Sequence, residues 1–294
     1  MRVVVVLVLV LVGASAVYAQ ASLTITTEPN AIVWIDEIRR GTTDASGKLT
    51  LTKVSPVRHS VRVRANGFKE STSALLPGRR ALAVKLVPTT DPAELKFQEA
   101  EVAREKARGD ASLKEAADLY REAIKLRPAF PTAQVGLARV LTSLNDFKEA
   151  HAAIDAARRT RPAYAEASAV EGRLYREEAF DDEALRSFGR AIREGGGVQP
   201  EAYVGMAKVR EDKGQFAEAI VEYKKALAQL SDSEPVIYQM LGAAYERVEK
   251  PKEAVAAYEK YLELAPNGSY AAAIRSILEQ LKREAAGEQI IPYL

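Results

Sequence analysis

The chain has 294 residues, 47% hydrophobic and 28% charged, which leaves room for more than one domain and gives no sign of disorder or low complexity. It contains no cysteine and only two histidines, His59 and His151, which excludes disulfide frameworks, thiolate metal sites, cysteine nucleophiles and a cysteine lipid anchor. The net charge of +2 conceals an asymmetry: residues 20–90 carry 11 Lys or Arg against 5 Asp or Glu, and residues 91–294 carry 30 against 35, a split that gives two domains different partners or draws them together.

Arg2 precedes an apolar run from Val3 to Val12, followed by small residues. Val17-Tyr18-Ala19 offers small side chains at the positions a signal peptidase reads, which predicts a signal peptide over 1–19 and a mature chain from Gln20. Cleavage after Ala16 is the second choice, and retention of the segment as a membrane anchor is the alternative to cleavage. The run is too short to span a bilayer comfortably, and no second apolar segment approaches that length. The expectation is an exported protein of the bacterial periplasm or cell envelope, with no membrane insertion after cleavage.

From Gln20 the pattern alternates. Leu23 and Ile25 share one face, Ile32 or Val33 and Trp34 open a second run, and "KLTLTKV", "HSVRVRANGF" and "RRALAVKLV" keep the two-residue period of half-buried strands. Turn signals separate them: Glu28-Pro29-Asn30, Arg40-Gly41, Ser46-Gly47, Asn66-Gly67 and Pro77-Gly78. Five or six short strands over residues 20–88 predict a small antiparallel β-sandwich. The stretch "GTTDASGKL" looks like a phosphate loop, but five residues stand between its glycines and Leu49 follows the lysine, so it reads as a hairpin loop.

The residues "ITTEPNAIVWIDEIRRGTT", "HSVRVRANGF" and "RALAVKLVP" resemble the PEGA domain, a small β-module of bacterial and archaeal envelope proteins. The resemblance spans Ser22 to Pro88. It departs from the family at Pro29-Asn30-Ala31, one residue short of the tetrapeptide, and lacks a proline after Gly41-Thr42-Thr43. It implies no catalytic residues.

Asp91-Pro92 reads as a helix cap and first helical residue, after which the period becomes helical. One phrase recurs, aligned on Ala116, Ala150, Ala184, Ala219 and Ala254. Four residues after each stands a large side chain, Tyr120, Ile154, Phe188, Tyr223 and Tyr258, and three further on Ala123, Ala157, Ala191, Ala226 and Tyr261. The preceding helix repeats a small residue beside a large one, as in Glu171-Gly172 with Tyr175 and Leu241-Gly242 with Tyr245. This register closely resembles the tetratricopeptide repeat, a helical hairpin of about 34 residues that stacks into a superhelix. The whole reads as an α+β multidomain chain: signal 1–19, PEGA-like β-domain 20–88, linker 89–96, five hairpins of a tetratricopeptide superhelical solenoid 97–268, capping helix 269–286 and tail 287–294.

Because the repeated residues are packing residues, function is expected on the surface that stacking creates. No enzyme activity, cofactor, metal or nucleic-acid partner is expected: His59 reads as an exposed strand residue, and His151 as a surface or groove residue with no second histidine. Asp181-Asp182-Glu183 opens a helix, where acidic side chains suit the dipole. Asn267-Gly268-Ser269 reads as the end of one helix and the cap of the next. Resemblance to the repeat places partners in the concave groove lined by first helices. Matching positions there carry Arg139, Arg173 and Lys208, with Arg176 one turn beyond Arg173, a set suited to an extended acidic segment or a carboxyl terminus of a protein partner. Glu166, Glu177, Glu201 and Glu211 stand near enough to neutralise it. The alternative is a cell-wall or glycan binder acting through the basic β-module, with Arg62 and Arg64 meeting anionic polymer and Trp34 as a stacking platform.

Overall fold

A computed structural model describes residues 21–36, 38–54, 58–230 and 234–287. The predicted signal peptide lies outside them, as does the tail beyond Gly287. Among the described residues no helix is long and apolar enough to cross a membrane.

The N-terminal module is built from β1 (Ala21–Thr26), β2 (Ile32–Ile35), β3 (Ile38–Thr42), β4 (Lys48–Val54), β5 (His59–Arg64), β6 (Phe68–Lys69), β7 (Ser71–Leu75), β8 (Ala81–Ala83) and β9 (Val87–Pro88). One sheet has the order β4-β1-β8, a second β3-β2-β5-β7, and β6 pairs with β9. Period-2 alternation sends Leu23 and Ile25 from the first sheet, and Val33, Ile35, Val61 and Val63 from the second, into a shared apolar core. The antiparallel expectation needs one correction. β8 runs parallel to β1, pairing Ala81 with Thr24 and Ala83 with Thr26, because the chain crosses from β7 to the opposite sheet and enters beside the second half of β1 in the same direction. The loop before β4 is the expected hairpin connection: Asp44 Oδ1 accepts from the backbone N–H groups of Ser46 and Lys48 at 2.8 and 3.0 Å.

The remainder is helical: α1 (Pro92–Lys106), α2 (Asp110–Leu126), α3 (Pro131–Ser143), α4 (Phe147–Thr160), α5 (Ala165–Glu177), α6 (Asp181–Glu194), α7 (Pro200–Asp212), α8 (Phe216–Leu230), α9 (Val236–Arg247), α10 (Pro251–Leu264) and α11 (Ala271–Ala285). Helix α1 begins at Pro92, the first helical residue read from Asp91-Pro92 and within the expected 89–96 linker, because the Asp91 carboxylate accepts from the Ala93 N–H at 3.0 Å and Pro92 suits the first turn. Ser269 does not cap α11, which starts after Tyr270 without a side-chain cap.

Helices α1–α10 form five hairpins. Ala116, Ala150, Ala184, Ala219 and Ala254 are all buried, and so are the large residues that follow them. What receives those large residues is a set of glycines on first helices. A Cβ at Gly172 would stand 2.6 Å from the Phe188 ring, and one at Gly242 2.5 Å from the Tyr258 ring. Gly205, one hairpin further on, meets the far end of the Phe188 ring, and Gly136 meets Tyr120. Each ring thus occupies space that no other residue type would leave, although glycine inside a helix costs about 0.5–1 kcal/mol relative to alanine. Ala271, Ile274, Leu278 and Leu281 of α11 cover the last hairpin.

The turn inside hairpins two to five is one motif with four different residues. Asn145, Ala179, Gly214 and Glu249 all take positive φ, 60°, 62°, 72° and 54°. The next N–H, from Asp146, Phe180, Gln215 or Lys250, returns to the carbonyl of Leu141, Tyr175, Arg210 or Tyr245, which is the Schellman closure of a helix end.

The two modules are in contact. Arg64 Nη2 on β5 lies 3.0 Å from Glu101 on α1, and Arg39 Nη1 on β3 lies 3.2 Å from Glu105. Gln98 accepts from the Gly67 N–H at 2.8 Å and donates to the Phe68 carbonyl at 2.9 Å. The opposite charges of the two halves meet within the molecule.

Two substitutions separate these effects by sign. Gly172→Ala gains up to about 1 kcal/mol of helix propensity but overpacks Phe188, a cost of about 1–3 kcal/mol, so the melting temperature should fall. Ala179→Gly relieves a left-handed alanine in a solvent-exposed turn and should raise stability by about 0.5–1 kcal/mol in a denaturant titration.

Candidate functional site

The first helices α1, α3, α5 and α7 contact one another along one side of the array. Arg139 on α3 donates to both carboxylate oxygens of Glu201 on α7, at 2.5 and 2.7 Å, and reaches Glu166 on α5 at 3.4 Å. A side chain that closes a 62-residue separation across an intervening helix identifies the concave side.

The predicted row is brought together here, but its members are not equivalent. Arg139 is mostly buried, and burial opposes its charge. The Glu201 and Glu166 carboxylates overcome that and hold it firmly protonated. The same pairing keeps Glu201 ionised below the ordinary carboxylate range despite burial. Arg176 is shared between Asp212 at 2.8 Å and Glu177 at 3.4 Å. Arg173 donates to the Ser143 hydroxyl at 3.1 Å. Among the described residues no carboxylate lies within 4.0 Å of Arg173 or Lys208. Burial lowers the Lys208 ammonium below its ordinary value, the cations Arg176 and Arg173 lower it further, and Glu211 and Glu177 oppose them. Glu211 is engaged by the Tyr223 hydroxyl at 2.8 Å.

The β-module's candidate residues face this same side. Trp34 and Ile32 point away from the module's core. Arg62 stacks 4.2 Å from the Trp34 ring and pairs with Glu70 at 3.2 Å. Arg64 lies 5.1 Å from Trp34 and 5.2 Å from Phe97 on α1. The face of Trp34 is therefore covered by the chain's own guanidinium groups. A cavity of about 170 Å³ remains between Trp34 and Arg62 on one side and Thr132, Arg139 and Glu166 on the other.

Both histidines are structural in placement. His59 is not an exposed strand residue: its side chain is 10% exposed, and Nδ1 lies 2.6 Å from Asp36, tying β5 to the β2–β3 turn. His151 is half-buried, 2.7 Å from Glu178 and packed at a 54° tilt against the Tyr175 ring. Among the described residues no group of three or more His, Asp or Glu is placed to hold a metal ion.

The sequence reading missed two residues. Glu101 is enclosed by Arg64, Arg104 and the Tyr120 hydroxyl, and although burial opposes ionisation, the two guanidinium groups and the phenol hold its pKa at about 2. Ile38 is 7% exposed and buried in the apolar cluster of α7–α11 rather than in the β-module. Its only signal is a lone aliphatic residue among charges in "DEIRR".

Residues 107–174 and 199–267 match models of the tetratricopeptide repeat. Both matches lie within the helical array, which is a tetratricopeptide solenoid. Solved structures share its fold. A thermophilic tetratricopeptide protein of Thermus thermophilus is 21% identical, with 65% of this chain and 98% of its own covered, at a TM-score of 0.54. PilW, a widely conserved type IV pilus biogenesis factor, is 18% identical over 68% and 88%, at 0.55. PilF of Pseudomonas aeruginosa is 15% identical over 67% and 88%, at 0.53. No curated protein matches the chain.

Glu101 has a pH signature. Its folded pKa is lowered from 4.5 to about 2, so its contribution is fully present above pH 4.5 and is lost as pH falls through about 2. The melting temperature of the wild type should fall between those values more steeply than that of Glu101→Gln, and parallel curves would contradict the assignment.

Proposed function

We propose that this chain is a non-enzymatic scaffold or adaptor of the bacterial cell envelope whose concave face binds an acidic protein or peptide segment. The observation that carries this reading is the pair Arg173 and Lys208, half-buried on the concave side with no carboxylate within salt-bridge distance among the described residues. Partly desolvated cations with no carboxylate in contact are costly, and an incoming carboxylate or acidic side chain offsets that cost with charge-assisted hydrogen bonds. Arg176 borders the pair and exchanges partners readily, since Asp212 and Glu177 remain well exposed. Arg139 serves the groove differently, as a strut between α3 and α7. Export rests on the apolar run of residues 3–12 and the small residues after it, and the β-module serves as a PEGA-like accessory or anchoring domain.

The test uses envelope extract and the full mature chain. Arg173→Ala with Lys208→Ala should lose at least about tenfold in affinity for whatever the wild type captures, and binding should weaken as salt rises. Arg139→Ala should instead lower stability, by about 1–2 kcal/mol, because it leaves Glu201 and Glu166 unpaired. Full affinity in the double variant would overturn the reading. Sedimentation with purified wall polymer, abolished by Arg62→Ala with Arg64→Ala, would move the activity to the β-module.

A further inference from the structure

The tight turn between β2 and β3 separates two isoleucines with different destinations. Ile35 and Ile38 are directly paired across the hairpin. Ile35, 5% exposed, belongs to the β-module's own core, whereas Ile38, 7% exposed, belongs to the apolar cluster of the last two hairpins and the capping helix. Partly buried apolar residues packed against that cluster on α7 and α9 include Tyr203, Val204, Val236 and Tyr238. The hairpin that carries Ile38 is held from behind by Arg39 on Glu105 and by Asp36 on His59. Its sheet also presents Trp34, Arg62 and Arg64 to Thr132, Arg139 and Glu166 of the first helices. The β-module therefore lies along the concave side from α1 and reaches the apolar cluster of the C-terminal hairpins.

We infer that the apolar seat taken by Ile38 is a binding site for a branched aliphatic side chain presented on an extended strand, and that the β2–β3 hairpin is its intramolecular ligand. An external partner must displace this hairpin to lie across the groove. This inference rests on the reading of the concave face as the partner site and adds the chemistry of the anchor and the gate. β2 is held on its other side by β5 and carries Val33 and Ile35 of the module's core, so the hairpin leaves its seat by undocking of the module as a unit. Cross-module ion pairs with partly exposed partners, such as Arg39–Glu105 with side chains 48% and 35% exposed, are individually weak. An occupant of this kind reduces the apparent affinity of a partner in proportion to the fraction of open molecules.

Ile38→Asp in the full chain tests this, because the substituted side chain lies outside the β-module's own core. Hydrogen exchange should speed up in α7 and α9 while protection around Leu23, Ile25, Val61 and Val63 is retained, and Ile38→Val should behave as the wild type. A fluorescent peptide of alternating Glu and Ile should bind Ile38→Asp about tenfold more tightly than the wild type, as expected if about nine-tenths of wild-type molecules are closed. Unchanged exchange in α7 and α9 would overturn the inference. So would faster exchange with no gain in peptide affinity. If the peptide binds neither protein, the acidic-partner reading fails, and the exchange data alone then decide whether the hairpin plugs the groove.

Discussion

Glu101 joins the two architectures of this protein. Its carboxylate sits where Tyr120 of the first hairpin reaches back to α1, and where Arg64 arrives from the β-module. Without a counter-charge a carboxylate so deeply enclosed would not stay ionised. With Arg104 and Arg64 beside it, it stays ionised well into acid. Removal of Glu101 leaves the buried Arg64 without its carboxylate, which costs more than the pair contributes as a surface ion pair. Packing of the first repeat and docking of the module are therefore coupled through one side chain.

The solenoid carries that arrangement onward through shape rather than charge. A ring from each of three second helices enters a gap that only glycine leaves; Gly172 and Gly242 set the spacing within their own hairpins, and Gly136 and Gly205 set the approach of the next one. Curvature follows, and with it a concave side tight enough for Arg139 to span from α3 to α7. The same curvature crowds Arg173, Arg176 and Lys208 together at the next level, where the available carboxylates have been used by Arg139, Arg176 and Tyr223. The cationic character of the groove is thus a residue of unequal pairing along a repeated register.

Much of this was legible in the sequence. The period of 34 or 35 residues, the five alanines and the large side chain four positions later gave the hairpins and their buried faces, because each hairpin repeats the same local packing problem. The strands were legible from alternation, although the parallel pairing of β8 depends on a crossover that alternation does not encode. Gly136 and Gly205 were not singled out, since their partners lie on the preceding hairpin and only the stack brings them together. The left-handed turn residues were equally hidden: Asn145 and Gly214 advertise such a turn, whereas Ala179 and Glu249 adopt it because the helix closure on either side demands it. Of the candidate site, the row of cations was readable from register, but its division into a strut and two cations without a contacting carboxylate depends on distances across repeats. Ile38 and Glu101 act between modules, and periodicity within either module is silent about them.

The β-module lies against the concave side of the solenoid in one defined orientation. The chain has no cysteine, so spin labels can be placed uniquely at Thr72→Cys on the module and Lys148→Cys on α4, both solvent-exposed. Pulsed dipolar spectroscopy on residues 20–294 at neutral pH should give a single narrow distance distribution, which broadens when Glu101→Ala and Ile38→Asp are introduced together. A broad distribution in the wild type, unchanged by those substitutions, would mean that the modules move independently and would contradict the account.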